Sequence, residues 1–183
     1  MDMETTLILF SGLAGTGKTT LANTLARELK VPVISFDYFI DFALPRHVMA
    51  DPGNWTNQDV VEMTHKLVAQ QLSLGVSVIL DAIHFSQTSR DVVRAVAKKC
   101  NARLRVIHTF CSDKDIWRER VLRRVENSSP NETPAQWDTV MAELDEFEHW
   151  SQDNALFVDS ANSIEVNFQM IRNYLVESQD ATR

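Results

Sequence analysis

A glycine-rich segment near the N-terminus constrains the fold more than any other feature of this sequence. Residues 12–19 fit the pattern G-x-x-x-x-G-K-[ST], and three of the five glycines of the chain lie in it. The apolar run at residues 6–10 is suited to a buried strand, and residues 20–29 carry leucines at helical spacing. Glycines here let backbone N–H groups converge on an anion without interference from Cβ atoms. The pattern predicts a phosphate-binding loop, and therefore a chain that binds a nucleoside triphosphate.

The motif also assigns roles to side chains. The N-terminus of the following helix favours negative charge, Lys18 would reach the β- and γ-phosphates, and the Thr19 hydroxyl would bind Mg²⁺. A glycine-rich turn without a ligand is the alternative, which the flanking strand and helix disfavour. The expected nucleotide-binding residues are contiguous: Gly12, Leu13, Ala14, Gly15, Thr16, Gly17, Lys18, Thr19 and Thr20.

Composition predicts a single domain over residues 1–183. A chain of 183 residues with 44% hydrophobic residues suits one α/β core of ordinary size. Cys100 and Cys111 lack metal-ligand spacing and are interpreted as reduced thiols. The first residues are acidic where a signal peptide would be basic, and no apolar run reaches the length of a membrane span. A cytoplasmic protein without membrane attachment is expected.

The net charge of −7 is unevenly distributed. Residues 1–89 carry −4, residues 90–124 carry +7 and residues 125–183 carry −10. Binding of extended nucleic acid needs clustered Lys and Arg side chains, so the acidic total makes it an unfavoured function. The basic segment could face a few phosphates of a small ligand or be a solvated helix face.

Strand and helix patterns alternate along the chain. Such alternation, with crossovers of helical length, predicts a parallel sheet covered by helices on both faces. Residues 38–56 contain two prolines and a glycine and are expected to form an irregular insertion on the substrate side. Residues 113–135, a helix followed by a loop of turn-forming residues, are expected to form a lid. Five strands are predicted, over residues 6–10, 31–36, 76–80, 104–110 and 155–158.

Two carboxylates follow predicted strands, at the sheet edge where open α/β folds bind ligands. Asp81 closes an apolar run, as a Walker B aspartate does, and would hold Mg²⁺ directly or through water. Asp37 would accept the proton of an attacking hydroxyl, with Asp41 as the local alternative for this role. Either strand-end aspartate could instead simply cap a turn.

Arg120 and Arg124 are spaced i, i+4 and share a helix face next to the turn-rich loop. They could close over the nucleotide and neutralise charge that develops during phosphoryl transfer. Arg123, on a neighbouring face, could replace one of them, and an exposed basic stripe without a catalytic role is the alternative.

Together, the loop at residues 12–19, Asp37, the strand ending at Asp81 and the Arg120–Arg124 pair resemble those of small P-loop kinases. The resemblance is to the polynucleotide 5′-kinase, zeta-toxin and chloramphenicol phosphotransferase group, and it runs from about residue 7 to residue 175. It implies a P-loop NTPase three-layer sandwich with a five-stranded parallel sheet of order 2-3-1-4-5 and a helical lid. It also implies that Asp37 is the general base and that Arg120 and Arg124 are lid arginines.

One position departs from the polynucleotide kinases, which carry an arginine three residues after the base aspartate. This chain has Ile40 there, followed by Asp41. The surrounding apolar residues favour a less charged acceptor, similar in character to that of chloramphenicol phosphotransferase.

The sequence therefore predicts an ATP- and Mg²⁺-dependent kinase that phosphorylates a hydroxyl of a small molecule. A kinase for polynucleotide ends or nucleotide sugars is the alternative within the same class. An NTP-binding switch is the alternative from another class, but Ala82 and Ile83 follow Asp81 where a switch would carry a water-positioning Glu or Gln. No guanine-specific N-K-x-D stretch occurs in the sequence, which favours adenine as the base of the bound nucleotide. The oligomeric state is left open.

Overall fold

A single five-stranded sheet forms the centre of the protein. The computed structural model describes residues 4–43, 57–84, 86–128, 134–150 and 155–176. Within them the strands lie in the order β2-β3-β1-β4-β5, and every neighbouring pair is parallel. This is the predicted order 2-3-1-4-5. The strands are β1 (Thr6–Ser11), β2 (Val33–Ser35), β3 (Val78–Asp81), β4 (Arg103–Phe110) and β5 (Leu156–Asp159).

Seven helices accompany the strands in the described part of the chain. They are α1 (Lys18–Leu29), α2 (Phe36–Ala43), α3 (Asn57–Ser73), α4 (Gln87–Lys99), α5 (Lys114–Glu126), α6 (Trp137–Glu146) and α7 (Ile164–Val176). Side-chain caps begin two of these helices. The Ser86 side chain accepts from the Ser89 N–H at the start of α4, and Asp113 accepts from the N–H groups of Asp115 and Ile116 at the start of α5.

The alternation of side chains along β1 produces a three-layer sandwich. Leu7 and Leu9 point into the apolar cluster beneath α3, α4, α5 and α6, whereas Ile8 and Phe10 point into the cluster beneath α1 and α7. All four side chains are at most 3% exposed. Because successive residues of a strand face opposite sides, a continuous apolar run is required where both faces are covered.

The predicted start of the irregular insertion, at residue 38 of the range 38–56, is wrong. Helix α2 begins at Phe36, directly after β2, and continues to Ala43, so Asp37 lies in the first turn of a helix rather than at a strand end. The segment has no glycine or proline, and an acidic residue in a first turn is favoured by the helix dipole. Residues 44–56 and the side chain of Asp41 lie outside the described residues.

Two further element ends shape the site and the core. Asp81 is the last residue of β3, where it pairs with Phe10 and Ser35. Helix α6 ends at Glu146, because Phe147 adopts an extended conformation with ψ of 113°. Trp150 then reaches back to the sheet, and its indole N–H donates to Ser11 Oγ at 3.0 Å.

Candidate active site

The glycine-rich loop connects β1 to α1 and adopts a conformation that depends on its glycines. Gly12, Gly15 and Gly17 have φ values of 141°, 78° and 86°. At Gly12 a Cβ atom would lie 2.2 Å from the backbone oxygen of Thr109 in β4. The loop therefore packs so closely on the neighbouring strand that no side chain fits there.

The interior of the loop is held by hydrogen bonds to one carbonyl. The oxygen of Leu13 accepts from the Thr16 hydroxyl at 2.7 Å and from Lys18 Nζ at 3.0 Å. Lys18 is only 8% exposed. Burial lowers the pKa of its amine, while the nearby Asp81 and Asp37 carboxylates raise it. The amine is thus held inside the loop, next to the place where phosphates would bind.

Thr19 and Asp81 meet at the carboxyl end of the central strands. Thr19 Oγ1 donates to Asp81 Oδ2 at 2.6 Å. Asp81 is 3% exposed, and burial raises the pKa of its carboxyl, whereas Lys18 and the Thr19 hydroxyl lower it. A hydroxyl and a carboxylate beside a phosphate loop are ligands that suit Mg²⁺. No group of three His, Cys, Asp or Glu residues that could hold a metal occurs in the described ranges. An ion here would need water and phosphate oxygens as its further ligands, as is usual for Mg²⁺ in nucleotide sites.

A cavity of about 560 Å³ opens in front of the loop. It brings together residues of the loop, of β2 and α2, of α5, and of the segment that follows β5. These lining residues are Gly15, Gly17, Lys18, Thr19, Thr20, Leu21, Ser35, Asp37, Tyr38, Arg120, Arg123, Arg124, Ser160, Asn162, Ile164 and Asn167. The volume lies in the range of ordinary small-molecule sites.

The two predicted lid arginines have different partners. Arg124 Nη2 lies 3.2 Å from Asp37 Oδ2, and both side chains are about half exposed. Arg120 points to the opposite side of the cavity, where its guanidinium donates to Ser160 Oγ at 2.8 Å and to Ser160 O at 3.0 Å. Arg123, the predicted substitute, also lines the cavity.

Eight of the predicted site residues line this cavity, and the other five do not: the five are Gly12, Leu13, Ala14, Thr16 and Asp81. Leu13 is buried beneath the loop, and Ala14 contributes its carbonyl to a hydrogen bond with Trp117 of α5. Thr16 bonds to Thr109 of β4 as well as to Leu13, which fixes the loop to the sheet. Thr20, in the first turn of α1, faces the cavity.

Sequence reasoning missed three residues close to this site. Ser160 directly follows β5, and its place at the carboxyl end of a strand is the signal that could have found it. Trp117 of α5 donates to the phosphate loop from a position that no sequence motif marks. The Oε2 atom of Glu143 in α6 is buried without a hydrogen-bond partner. Burial raises the pKa of this carboxyl, while nearby Lys18 lowers it.

A family model described as an AAA domain matches residues 7–148, and the chain belongs to this family. The match includes the glycine-rich loop, Asp37, Asp81 and both arginines of α5. Comparison with curated protein sequences gives no significant match.

Solved structures share the fold over nearly the whole chain. Kti12 of Chaetomium thermophilum, in complex with ADP-AlF3, is 20% identical with a TM-score of 0.73 over 92% of this chain and 97% of that one. A gluconokinase from Sinorhizobium meliloti 1021 is 17% identical with a TM-score of 0.66, and the match covers 94% of this chain and 93% of that one. The APS kinase CysC of Mycobacterium tuberculosis, in complex with AMPPNP and APS, is 18% identical with a TM-score of 0.59, covering 94% and 98%. The fold is that of the small P-loop kinases.

None of the helices in the described ranges combines the length and the apolar character that crossing a membrane requires.

Proposed function

We propose that this protein is an ATP- and Mg²⁺-dependent kinase that transfers the γ-phosphate of ATP to a hydroxyl of a small-molecule acceptor. The observation that carries the proposal is that a single cavity is lined both by the phosphate loop and by a carboxylate, Asp37, which belongs to another element. A site that only binds nucleotide needs the loop, whereas a site that transfers phosphate also needs a base for the acceptor.

The triphosphate would lie along the loop. Lys18 would exchange its bond to the Leu13 carbonyl for the β- and γ-phosphate oxygens, which are stronger acceptors for an ammonium group. The N–H groups at the start of α1 would donate to the same anion. Thr19 and Asp81 would hold Mg²⁺, which supplies charge neutralisation at the phosphate oxygens when it is bound.

Asp37 would act on the acceptor. Its carboxylate takes the proton of the attacking hydroxyl as the new O–P bond forms, and the bond between the γ-phosphorus and the bridging oxygen of ADP breaks. Arg124, which contacts Asp37, and Arg120 would neutralise negative charge on the migrating phosphoryl group.

The similar structures support nucleotide binding and leave the acceptor open. Two of them are named as kinases, and two carry nucleotides or nucleotide analogues. Free Cys100 and Cys111 and the use of ATP fit a cytoplasmic enzyme.

The test is a screen of hydroxyl-bearing metabolites for acceptor-dependent ADP release. A hit in the wild type that is lost in Asp37→Asn and in Lys18→Ala supports the proposal. Asp91→Asn is the matched control, because Asp91 forms an exposed ion pair with Arg94 on α4 and does not line the cavity. ATP hydrolysis at the same rate with and without every acceptor would instead favour an NTPase switch.

A further inference from the structure

Helix α5 packs directly on the phosphate loop. Trp117 is 4% exposed, and its indole N–H donates to the Ala14 carbonyl at 2.7 Å, a contact between residues 103 positions apart. At Gly15 a Cβ atom would lie 2.6 Å from Val121 Cγ2 and 3.1 Å from Trp117 Cδ1. The glycine therefore lets a helix approach the loop as well as providing its positive φ.

The bond from Trp117 fixes the direction of a donor that faces the cavity. The carbonyl of Ala14 and the N–H of Gly15 belong to the same planar trans peptide, so they point in opposite directions. Holding the carbonyl towards α5 turns the Gly15 N–H away from that helix, and Gly15 lines the cavity. Without a partner the peptide could rotate, and the N–H would no longer be held in its direction.

The neighbouring carbonyl is held in a different way. Leu13 O accepts from Lys18 Nζ, which the proposed triphosphate would draw away. The indole of Trp117 cannot be drawn away in this manner, because it is buried behind the loop and is not among the residues that line the cavity. Its bond to Ala14 can therefore persist in both the empty and the nucleotide-bound protein.

The same helix carries the arginines of the site. Trp117, Arg120 and Arg124 are spaced i, i+3 and i+7, so they share one face of α5. Arg120 contacts Ser160 on one side of the cavity, and Arg124 contacts Asp37 on the other. Anchoring Trp117 to the loop thus also sets where these guanidinium groups stand relative to bound phosphates.

We propose that Trp117 is a positioning residue of the nucleotide site, whose indole N–H fixes the Ala14–Gly15 peptide and joins α5 to the phosphate loop. This inference rests on the proposed nucleotide binding. It does not depend on the identity of the acceptor or on phosphate transfer.

The test compares Trp117→Phe with Trp137→Phe. Phenylalanine keeps an aromatic ring at position 117 but lacks the donor. Trp137 packs edge-on against Trp117 with ring centroids 5.5 Å apart, so its variant removes a similar amount of indole from the same cluster without touching the bond. The probes are Mg-ADP and Mg-tripolyphosphate, titrated by calorimetry. Tripolyphosphate has no nucleoside, so it reports on binding to the phosphate loop alone.

Trp117→Phe should weaken both probes by about 5–20-fold, because the Ala14–Gly15 peptide is then no longer held and must be ordered when phosphate binds. Trp137→Phe should stay within about 2-fold of the wild type, even if both variants lower the melting temperature similarly. Equal affinities in Trp117→Phe and the wild type would overturn the role of Trp117 alone. Failure of the wild type to bind Mg-ADP would overturn the nucleotide site itself, and this role with it.

A measurement on the wild type covers the case in which Trp117→Phe fails to fold. The Nε1–H proton of Trp117 should exchange slowly with solvent, both in the empty protein and with Mg-ADP bound, as followed by NMR. Rapid exchange in either state would show that the bond does not persist and would overturn the proposal.

Discussion

Arg124 and Asp37 form an ion pair of 3.2 Å that joins α5 to α2 across the cavity. Because both side chains are about half exposed, a pair of this kind contributes only about 0–1 kcal/mol to stability. A triphosphate could therefore take Arg124 from Asp37 at little cost and leave the carboxylate free to accept a proton. The pair connects the two residues for which the sequence predicts complementary catalytic roles.

Asp37→Asn should retain nucleotide affinity but lose phosphate transfer by about 10²–10⁴-fold. The amide keeps the size of the side chain but cannot take a proton. Calorimetric titration with Mg-ATP and a product assay with the acceptor measure the two effects separately. Normal transfer by this variant would assign the base role elsewhere, with Asp41 as the first candidate.

Asp81→Asn should behave differently from Asp37→Asn. Its carboxylate accepts from Thr19 at the proposed metal site, so the loss of charge should raise the Mg²⁺ concentration needed for both nucleotide binding and turnover. The Mg²⁺ dependence of both quantities is the measurement. An unchanged Mg²⁺ dependence would show that Asp81 does not bind the metal ion.

The two arginines of α5 should differ in their structural roles. Arg120→Ala and Arg124→Ala should each lower kcat by about 10–1000-fold if both act on developing charge. Arg120 also makes two hydrogen bonds to Ser160, so its variant should in addition lose about 1 kcal/mol of stability. Thermal melting and steady-state kinetics measure the two effects. A large loss of stability with normal kcat would mark Arg120 as purely structural.

Gly12→Ala should destabilise the protein by several kcal/mol, because the new Cβ would lie 2.2 Å from the Thr109 carbonyl oxygen. Gly75→Ala is the matched control. Gly75 also has a positive φ, of 78°, but no atom lies within 4 Å of the position of its Cβ. That control should cost only about 1–2 kcal/mol of conformational strain. If urea denaturation gave the same loss of unfolding free energy for Gly12→Ala and Gly75→Ala, the close approach of loop and strand would be contradicted.

The free energy of unfolding should fall as the pH drops from about 6.5 to about 4, because burial lowers the pKa values of His84 and His108 from 6.5 to about 4. In this window the unfolded chain binds protons that the folded protein excludes, so this contribution is fully present above pH 6.5 and is lost on acidification.

Each histidine contributes at most about 1.4 kcal/mol per pH unit to this slope. His108→Phe and His84→Asn should each reduce the slope, and Asn also tolerates the positive φ of 48° at position 84. Denaturant unfolding at several pH values measures the slope of the free energy of unfolding against pH. Slopes identical to that of the wild type would show that these imidazoles do not titrate differently in the two states.

Local patterns account for the parts of the molecule that were predicted correctly. The phosphate loop and the five strands depend on residues close together in the sequence. The resemblance to small P-loop kinases supplied the strand order, and the structure confirms it.

Long-range contacts account for what was missed. The bond from Trp117 to Ala14 spans 103 positions, and that from Arg120 to Ser160 spans 40. Neither leaves a periodic signal in the sequence. The start of α2 was missed because β2 passes into the helix without the glycine or proline that usually marks such a junction.

The order of the strands has a consequence for how such a chain can change. With β1 in the middle, the side formed by β2, β3 and α2 carries Asp37, while the side formed by β4, β5 and α7 carries Ser160 and its neighbours in the cavity wall. Substitutions in α2 alter one wall without touching the other. For a kinase of the kind we propose, the acceptor could therefore change over evolution while the nucleotide stays the same.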